Sequence, residues 1–275
     1  MRPAAVARRG ADYLARHGVV APAAESETLL QGILELDRAS LFTRQRPLSP
    51  GESRAFGRAL CRRCTGTPLQ HLTGEQGFRR LVLEVRPGVF VPRPETEIVV
   101  DIALEMAPQA QVVVDLCTGS GAIALAIADE HPGAAVFATD ASAEAVGLAR
   151  ANASRLGLVV TVAHGDLFEP LPPRLHAAID LVVANPPYLP ADDGSTLPAD
   201  VRADPSSALF GGIDLYERLF ADALEWLGAG GAVVVEIDAR EGSAVSAAAR
   251  AAGFTEVRVL RDLTGRDRVV TGRRP

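Results

Sequence analysis

Between residues 98 and 275, short aliphatic runs alternate with longer stretches whose apolar positions recur every three or four residues. Residues 112–115, 136–139, 159–163, 181–184 and 232–237 read as strands, and 122–129, 143–156, about 214–227 and 242–252 as helices. Residues 257–260 and 268–271 read as a terminal pair that closes the sheet. This alternation of strands and helices predicts an α/β fold: a doubly wound, mostly parallel sheet with helices on both faces. No internal repeat is found.

The first 64 residues follow a helical period instead, with Val6, Tyr13 and Leu14 and then Leu29, Leu30, Ile33 and Leu34 at helical spacing. Ser49-Pro50-Gly51-Glu52 has the form of an N-cap with proline at the first helical position, opening a helix through Phe56 and Leu60. After Gly66 the pattern turns β-like at Phe78, Leu81, Leu83, Val85 and Val89-Phe90-Val91, with Pro87-Gly88 as the turn between two short strands. Three parts follow: a helical segment 1–66, a β-hairpin linker 67–97 and a main domain 98–275.

A chain of 275 residues with 48% hydrophobic content has material for a sizeable core. No apolar run reaches the ~18–20 residues of a membrane span. The arginine-bearing N-terminus has no apolar h-region, so we expect no signal peptide, no membrane association and a cytoplasmic, monomeric protein. Three cysteines argue against a disulfide framework, and Cys61 and Cys64, set among arginines without a second pair, read as two helical cysteines with no metal between them. The net charge of −6 disfavours a general nucleic-acid binder. That average hides an asymmetry, because residues 1–95 carry 15 Arg against 9 acids while residues 96–275 carry 13 against 25. Such a basic front end suits an acidic or RNA-bearing partner, and equally suits solvated helix faces in a chain that has no lysine.

Chemistry concentrates where the strands end. Val112-Val113-Val114-Asp115 runs into Leu116-Cys117-Thr118-Gly119-Ser120-Gly121 and then a helix. Glycines there let the backbone turn tightly and approach a ligand in front of the helix N-terminus. The form D-x-x-T-G-S-G matches neither a dinucleotide fingerprint nor a P-loop. Asp140 ends the next strand, where a carboxylate can accept both hydroxyls of a ribose. Asp166, after the third strand, suits an adenine amino group. Taken singly, each acid serves equally well as a strand-end cap. Together, Asp115, Asp140 and Asp166 offer methionine, ribose and adenine contacts in order, which points to S-adenosyl-L-methionine.

The fourth strand ends in Asn185-Pro186-Pro187-Tyr188. An amide nitrogen is a poor nucleophile because its lone pair is delocalised. A site that methylates it must hold both N–H bonds and aim the lone pair. The Asn185 side-chain carbonyl can accept one N–H and the Pro186 backbone carbonyl the other, which also stabilises charge developing on nitrogen. Pro186 and Pro187 stiffen the loop, and Tyr188 can stack on a planar group. No metal and no covalent intermediate is required.

These motifs, with Pro68-Leu-Gln-His-Leu-Thr-Gly74, Pro87-Gly-Val-Phe-Val-Pro-Arg-Pro-Glu-Thr-Glu97, Gly165-Asp-Leu-Phe168, Ala208-Leu-Phe-Gly-Gly212, Gly230-Gly231 and Gly265-Arg-Asp-Arg-Val-Val270, cover nearly the whole chain. The chain resembles the HemK or PrmC family, glutamine N5-methyltransferases that modify class I peptide-chain release factors. The resemblance implies a Rossmann-like class I methyltransferase domain behind a helical substrate-binding domain. It implies cofactor contacts from Cys117 to Gly121 and from Asp140, Leu167 and Asn185. It also implies that Asn185 to Tyr188 bind the glutamine of a Gly-Gly-Gln loop while the helical segment grips the rest of the release factor. The segment before the main domain is the most family-specific and is expected to order the linker beside the cofactor. Three departures stand on the substrate side: a shortened stretch after Gly212, Asp204-Pro205 where Glu-Pro is expected, and Glu241 where glutamine is usual. Alternatives at this point are a nitrogen methyltransferase of a free amino acid or small molecule, a DNA adenine methyltransferase, disfavoured by the acidic main domain, and a non-catalytic binder of the cofactor.

Overall fold

The computed structural model describes residues 1–189, 197–198 and 201–275. Its backbone gathers into two compact units, Met1–Glu75 with described residues of Leu197–Ala203, and Gln76–Thr196 with Asp204–Pro275.

The first unit is helical: α1 (Pro3–Arg16), α2 (Pro22–Leu34), α3 (Arg38–Thr43), α4 (Pro50–Cys64) and α5 (Leu69–Thr73). Leu14, Leu29, Leu30, Leu41, Phe56 and Leu60 form its core. Gly10 is required where α1 crosses its neighbours, because a Cβ there would lie 2.3 Å from Ser26 Oγ and 2.6 Å from the Phe56 ring. Ser49 and Glu52 make a reciprocal capping box at the start of α4. On α4, Arg54, Arg58 and Arg62 are exposed, while Arg63 turns inward to pair with Glu25 at 2.5 Å.

In the second unit a hairpin of β1 (Glu75–Phe78) and β2 (Leu81–Glu84) precedes α6 (Glu97–Met106). Then come β3 (Val112–Leu116), α7 (Ala122–Glu130), β4 (Ala135–Asp140), α8 (Ala143–Leu156), β5 (Val160–His164) and β6 (Ile179–Ala184). The chain ends with α9 (Ser206–Leu209), α10 (Ile213–Trp226), β7 (Leu227–Glu236), α11 (Gly242–Ala252), β8 (Thr255–Arg261) and β9 (Asp267–Arg273). The seven-stranded sheet has the order β5-β4-β3-β6-β7-β9-β8, parallel except at β9 and β8. Successive residues face opposite layers: Val113, Leu181 and Val234 join the core with α6, α7 and α8, and Val114, Val182 and Val235 the core with α10 and α11. Each such aliphatic side chain taken from water contributes about 1.5–3 kcal/mol. From β3 the chain winds outward through β4 and β5, then returns to lay β6 on the other side of β3. The winding reverses at the carboxyl ends of β3 and β6, the place where sheets of this kind hold their ligands.

The strand–helix alternation expected from the sequence is present except between β5 and β6, where only a short 3-10 turn at Pro173–Leu175 intervenes. The hairpin differs in one respect. Its turn is Arg79-Arg80, whereas Pro87-Gly88 is a turn beyond β2, and Val89-Phe90-Val91 is not a strand. The reason lies in partners that local turn chemistry does not reveal. Arg79 takes φ +51° with its N–H on Glu97 and its guanidinium on Glu130 and Asp101. Val89 packs on Ala145 and Leu148, and the Val91 N–H goes to the Asp204 carboxylate at 3.2 Å. β7 begins at Leu227, ahead of the expected 232, because an irregularity in the β6–β7 register lets Leu227 pair with Ile179 before Ala232 pairs with Leu181. Helix α6 is an element the hydrophobic pattern did not single out.

Asn152 of α8 is fully buried and joins the hairpin to the glycine-rich loop. Its Oδ1 accepts Glu84 N–H at 2.8 Å, and its Nδ2 donates to the carbonyls of Glu84 and Ser120, both at 3.0 Å. Asn152→Ala should therefore cost about 3 kcal/mol, because it strands buried backbone groups. Urea unfolding measures this, and a loss below ~0.5 kcal/mol, the scale of a surface change, would contradict the assignment.

Candidate active site

The glycine-rich loop is braced from beneath by Asp115. This fully buried carboxylate accepts Thr118 Oγ1 at 2.5 Å and Ala124 N–H at 3.1 Å on Oδ2, so one side chain ties the loop to the first turn of α7. Burial outweighs those bonds and pushes its pKa up to about 7. Its other oxygen, Oδ1, is buried without a hydrogen-bond donor, as is Ser120 Oγ. Cys117, Gly119 and Gly121 take positive φ in turn, at +56°, +57° and +86°. A Cβ on Gly121 would come within 3.0 Å of Leu125, whereas one on Gly119 would meet nothing within 4 Å. At Gly121, then, the glycine permits close helix packing, and at Gly119 the backbone lies open. The Cys117 thiol is pushed well above its usual range by burial, with Asp140 and Asp115 adding to the effect, so it stays a neutral lining group.

Asp140, at the end of β4, knits adjacent strand ends together. Its Oδ2 accepts Gly119 N–H at 2.8 Å, its Oδ1 accepts Ser142 N–H at 2.9 Å, and its backbone carbonyl accepts Gly165 N–H at 3.0 Å. Each oxygen retains a second lone pair for a ligand hydroxyl. Leu167 is buried at φ +43°, and its carbonyl accepts Thr139 Oγ1 at 2.8 Å. Asp166 beside it is exposed and forms an ion pair with Arg218 of α10, so its carboxylate is shared with a cation that the sequence reading did not include.

Asn185 follows β6 directly, next to the end of β3, where Leu116 pairs with Ala184. Its Nδ2 donates to Thr96 Oγ1 at 3.3 Å. Tyr188 directs its hydroxyl to Glu236 Oε1 at 3.4 Å, and burial holds that phenol protonated. Glu236 ends β7 almost without exposure; burial raises it to about 7 against the opposing influence of Thr96, Arg268 and Tyr188. The Tyr216 hydroxyl donates to the Glu236 carbonyl at 2.8 Å and so fixes that strand end. From the other side, Leu189 N–H donates to Leu209 O at 2.8 Å, and Gly211 N–H to Leu189 O at 3.1 Å.

Sequence reasoning missed Thr96, Glu236 and Gly211 as neighbours of this loop. One signal was present for Glu236: an aliphatic strand ending in an acid, as β4 also does. Thr96 and Gly211 lay in quoted motifs without a role. The departure at Asp204 has a structural account, because its buried carboxylate accepts Val91 N–H and pairs with Arg93, which lies 5.2 Å from the Phe90 ring. The shortened stretch after Gly212 lets α10 begin at Ile213, with Gly212 as its cap.

Residues 5–74 match the PrmC N-terminal domain model, and residues 83–197 the methyltransferase small domain model. The chain is 42% identical to the release factor glutamine methyltransferase of Moorella thermoacetica, over 93% of this chain and 92% of that one. It is 40% identical to that of Geobacter sulfurreducens, over 95% and 93%. Among solved structures it is similar to a ribosomal protein L11 methylase from Lactobacillus delbrueckii subsp. bulgaricus, with TM-score 0.51 and 23% identity over 70% of this chain and 84% of that one. It is also similar to the T. thermophilus 16S rRNA N2 G1207 methyltransferase in complex with AdoMet and guanosine, with TM-score 0.55 and 18% identity over 73% and 50%. At such identities the structures show a shared fold, that of class I methyltransferases.

The contact between residue 211 and the Asn185–Tyr188 loop can be tested directly. A Cβ at Gly211 would lie 2.0 Å from the Pro187 carbonyl oxygen, while one at Gly212 would meet nothing within 4 Å. Gly211→Ala should destabilise by about 1–3 kcal/mol through overpacking, and Gly212→Ala should be near neutral. Equal shifts in thermal midpoint for the two variants would contradict the close approach.

Proposed function

The chain belongs to the release factor glutamine methyltransferase family, and from that membership we propose that it methylates the side-chain amide nitrogen (N5) of the Gly-Gly-Gln glutamine in class I peptide-chain release factors. The observation that carries this reading is the Asn185-Pro186-Pro187-Tyr188 loop at the sheet's reversal point, with Asn185 Nδ2 engaged by Thr96 and Oδ1 left to accept. S-adenosylmethionine, when bound, supplies an electrophilic methyl group on a sulfonium sulfur.

The residues present suit that cofactor. The partnerless Asp115 Oδ1 and Ser120 Oγ offer acceptors to a cationic, donor-rich ligand, and Gly119 leaves space along the backbone. In this reading Asp115 and Cys117, Thr118, Gly119, Ser120 and Gly121 line the methionine portion. Asp140 takes the ribose hydroxyls, and Leu167 with Asp166 flanks the adenine, Asp166 doing so while paired with Arg218. A cation bound at these strand ends would also favour the ionised form of Asp115, reversing the effect of its burial.

On the substrate side, Asn185 Oδ1 accepts one amide N–H and the Pro186 carbonyl the other. This pair turns the nitrogen lone pair toward one face and stabilises positive charge as it grows on nitrogen. Tyr188, its hydroxyl directed at Glu236, offers its ring to the planar amide. The exposed row Arg54, Arg58 and Arg62 on α4 supports recognition of a macromolecule through charge. The reading has a monomer acting in the cytoplasm on a protein, without DNA. No helix among the described residues is long and apolar enough to cross a membrane.

The test is mass spectrometry after incubation with a cognate release factor, a short Gly-Gly-Gln peptide, free glutamine and duplex DNA. One added methyl on the Gly-Gly-Gln glutamine is expected, with the full factor far faster than the peptide and slowed by salt that leaves the peptide rate unchanged. Turnover of free glutamine with an unmodified release factor would favour the small-molecule reading instead.

A further inference from the structure

Two of the three strand-end acids are held by groups of their own or adjoining loops, and the third is not. Asp115 is tied to Thr118 and Ala124, and Asp140 to Gly119 and Ser142. Asp166 is exposed, and among the described residues its carboxylate meets a single side chain, Arg218 of α10, 52 residues further along the chain. We propose that Arg218 is a positioning residue that aims the Asp166 carboxylate at the 6-amino group of the cofactor's purine, and so makes the site selective for an aminopurine. This rests on the reading above, in which Asp166 flanks the adenine of S-adenosylmethionine.

The backbone around Asp166 is fixed without help from its side chain. Gly165 N–H donates to the Asp140 carbonyl at 3.0 Å, and Glu169 N–H to the Asp166 carbonyl at 2.9 Å. The Leu167 carbonyl accepts Thr139 Oγ1 at 2.8 Å, and a Cβ on Gly165 would crowd Pro170 at 3.0 Å. What the loop leaves free is the rotation of the Asp166 side chain. Arg218 Nη2 donates to Asp166 Oδ2 and removes that freedom, while Oδ1 has no donor among the described residues. A carboxylate paired with a guanidinium accepts hydrogen bonds and donates none. A purine with an amino group at C6 therefore suits Oδ1, and one with a carbonyl oxygen there does not. Stability does not account for the pair, because side chains 52% and 57% exposed gain little from pairing. Asp222, one turn further along α10, offers Arg218 a partner on its own helix, and Arg218 reaches across to the loop after β5 instead. The helix presents it from a firm base, since Tyr216, Leu219 and Phe220 are fully buried.

The test is equilibrium binding, which needs no protein substrate. The probes are S-adenosylhomocysteine and the same molecule lacking the 6-amino group, and calorimetry gives the ratio of their affinities for each enzyme. Wild type should favour S-adenosylhomocysteine by about tenfold or more, the scale of a hydrogen bond to a charged group. Arg218→Ala should cut that ratio to about threefold or less, with the thermal midpoint within about 2 °C of wild type because the pair is exposed. Asp166→Ala should cut it to the same extent, and Arg218→Ala added to Asp166→Ala should change it no further, as two residues acting through one contact require. Arg218→Ala with the wild-type ratio overturns the proposal, and so does a further fall in the double variant. A wild-type enzyme that binds both probes equally, or Asp166→Ala with the wild-type ratio, would instead remove the adenine contact of Asp166 on which the proposal stands. The two failures are thereby distinct.

Discussion

Both faces of the seven-stranded sheet are covered by helices, and that constraint decides where chemistry can occur. Most side chains of β3, β6 and β7 are buried, so polar groups gather toward the strand ends, as Asp115, Asp180 and Glu236 do. At those ends the groups are tied to one another. Asp115 holds Thr118 and Ala124, Asp140 holds Gly119 and Ser142, Thr139 holds Leu167, and Tyr188 and Tyr216 converge on Glu236. Loops that carry ligand-facing groups are thus braced from below by side chains that would be costly to leave unpaired. The site is preorganised because the sheet is buried.

A second constraint comes from the short segment that runs from the hairpin into the first residue of α6. Three of its side chains make separate attachments: Arg93 to Asp204, Thr96 to Asn185 and Glu97 to the backbone of Arg79. The segment reaches the hairpin, the region just before α9 and the loop after β6 together, elements far apart in sequence. Within Pro92-Arg-Pro-Glu-Thr-Glu97, the side chains of Arg93, Thr96 and Glu97 each answer to a different distant partner. The substitution of Asp204 for the expected glutamate leaves the attachment to Arg93 in place.

The sheet and the helices α7, α8, α10 and α11 were legible because aliphatic runs of strand length and helical periodicity are local signals. Ser49-Pro50-Gly51-Glu52 marked its helix start for the same reason. The hairpin turn was misplaced because Pro87-Gly88 has stronger turn chemistry than Arg79-Arg80. The arginine turn exists only through acids at 97, 101 and 130, which no local window contains. Asp115, Asp140 and Asn185 could be named from strand-end position, and the structure brings their loops to one edge. The pairing of Asp166 with Arg218 could not be read, nor could the inward turn of Arg63 toward Glu25, because both depend on partners 38 or more residues away. Thr96 was quoted within a motif and still had no visible role until the fold set it beside Asn185.

The account stands on Asn185 as an acceptor that orients a weakly nucleophilic amide nitrogen. Single-turnover methyl transfer to a release factor, at S-adenosylmethionine concentrations saturating for each enzyme, measures this without interference from cofactor affinity. Asn185→Ala should lose ~10²–10³-fold in rate, on the scale of losing one preorganised hydrogen-bonding group in an oxyanion-type site. Transfer at the wild-type rate by a folded, cofactor-saturated Asn185→Ala enzyme would contradict the account.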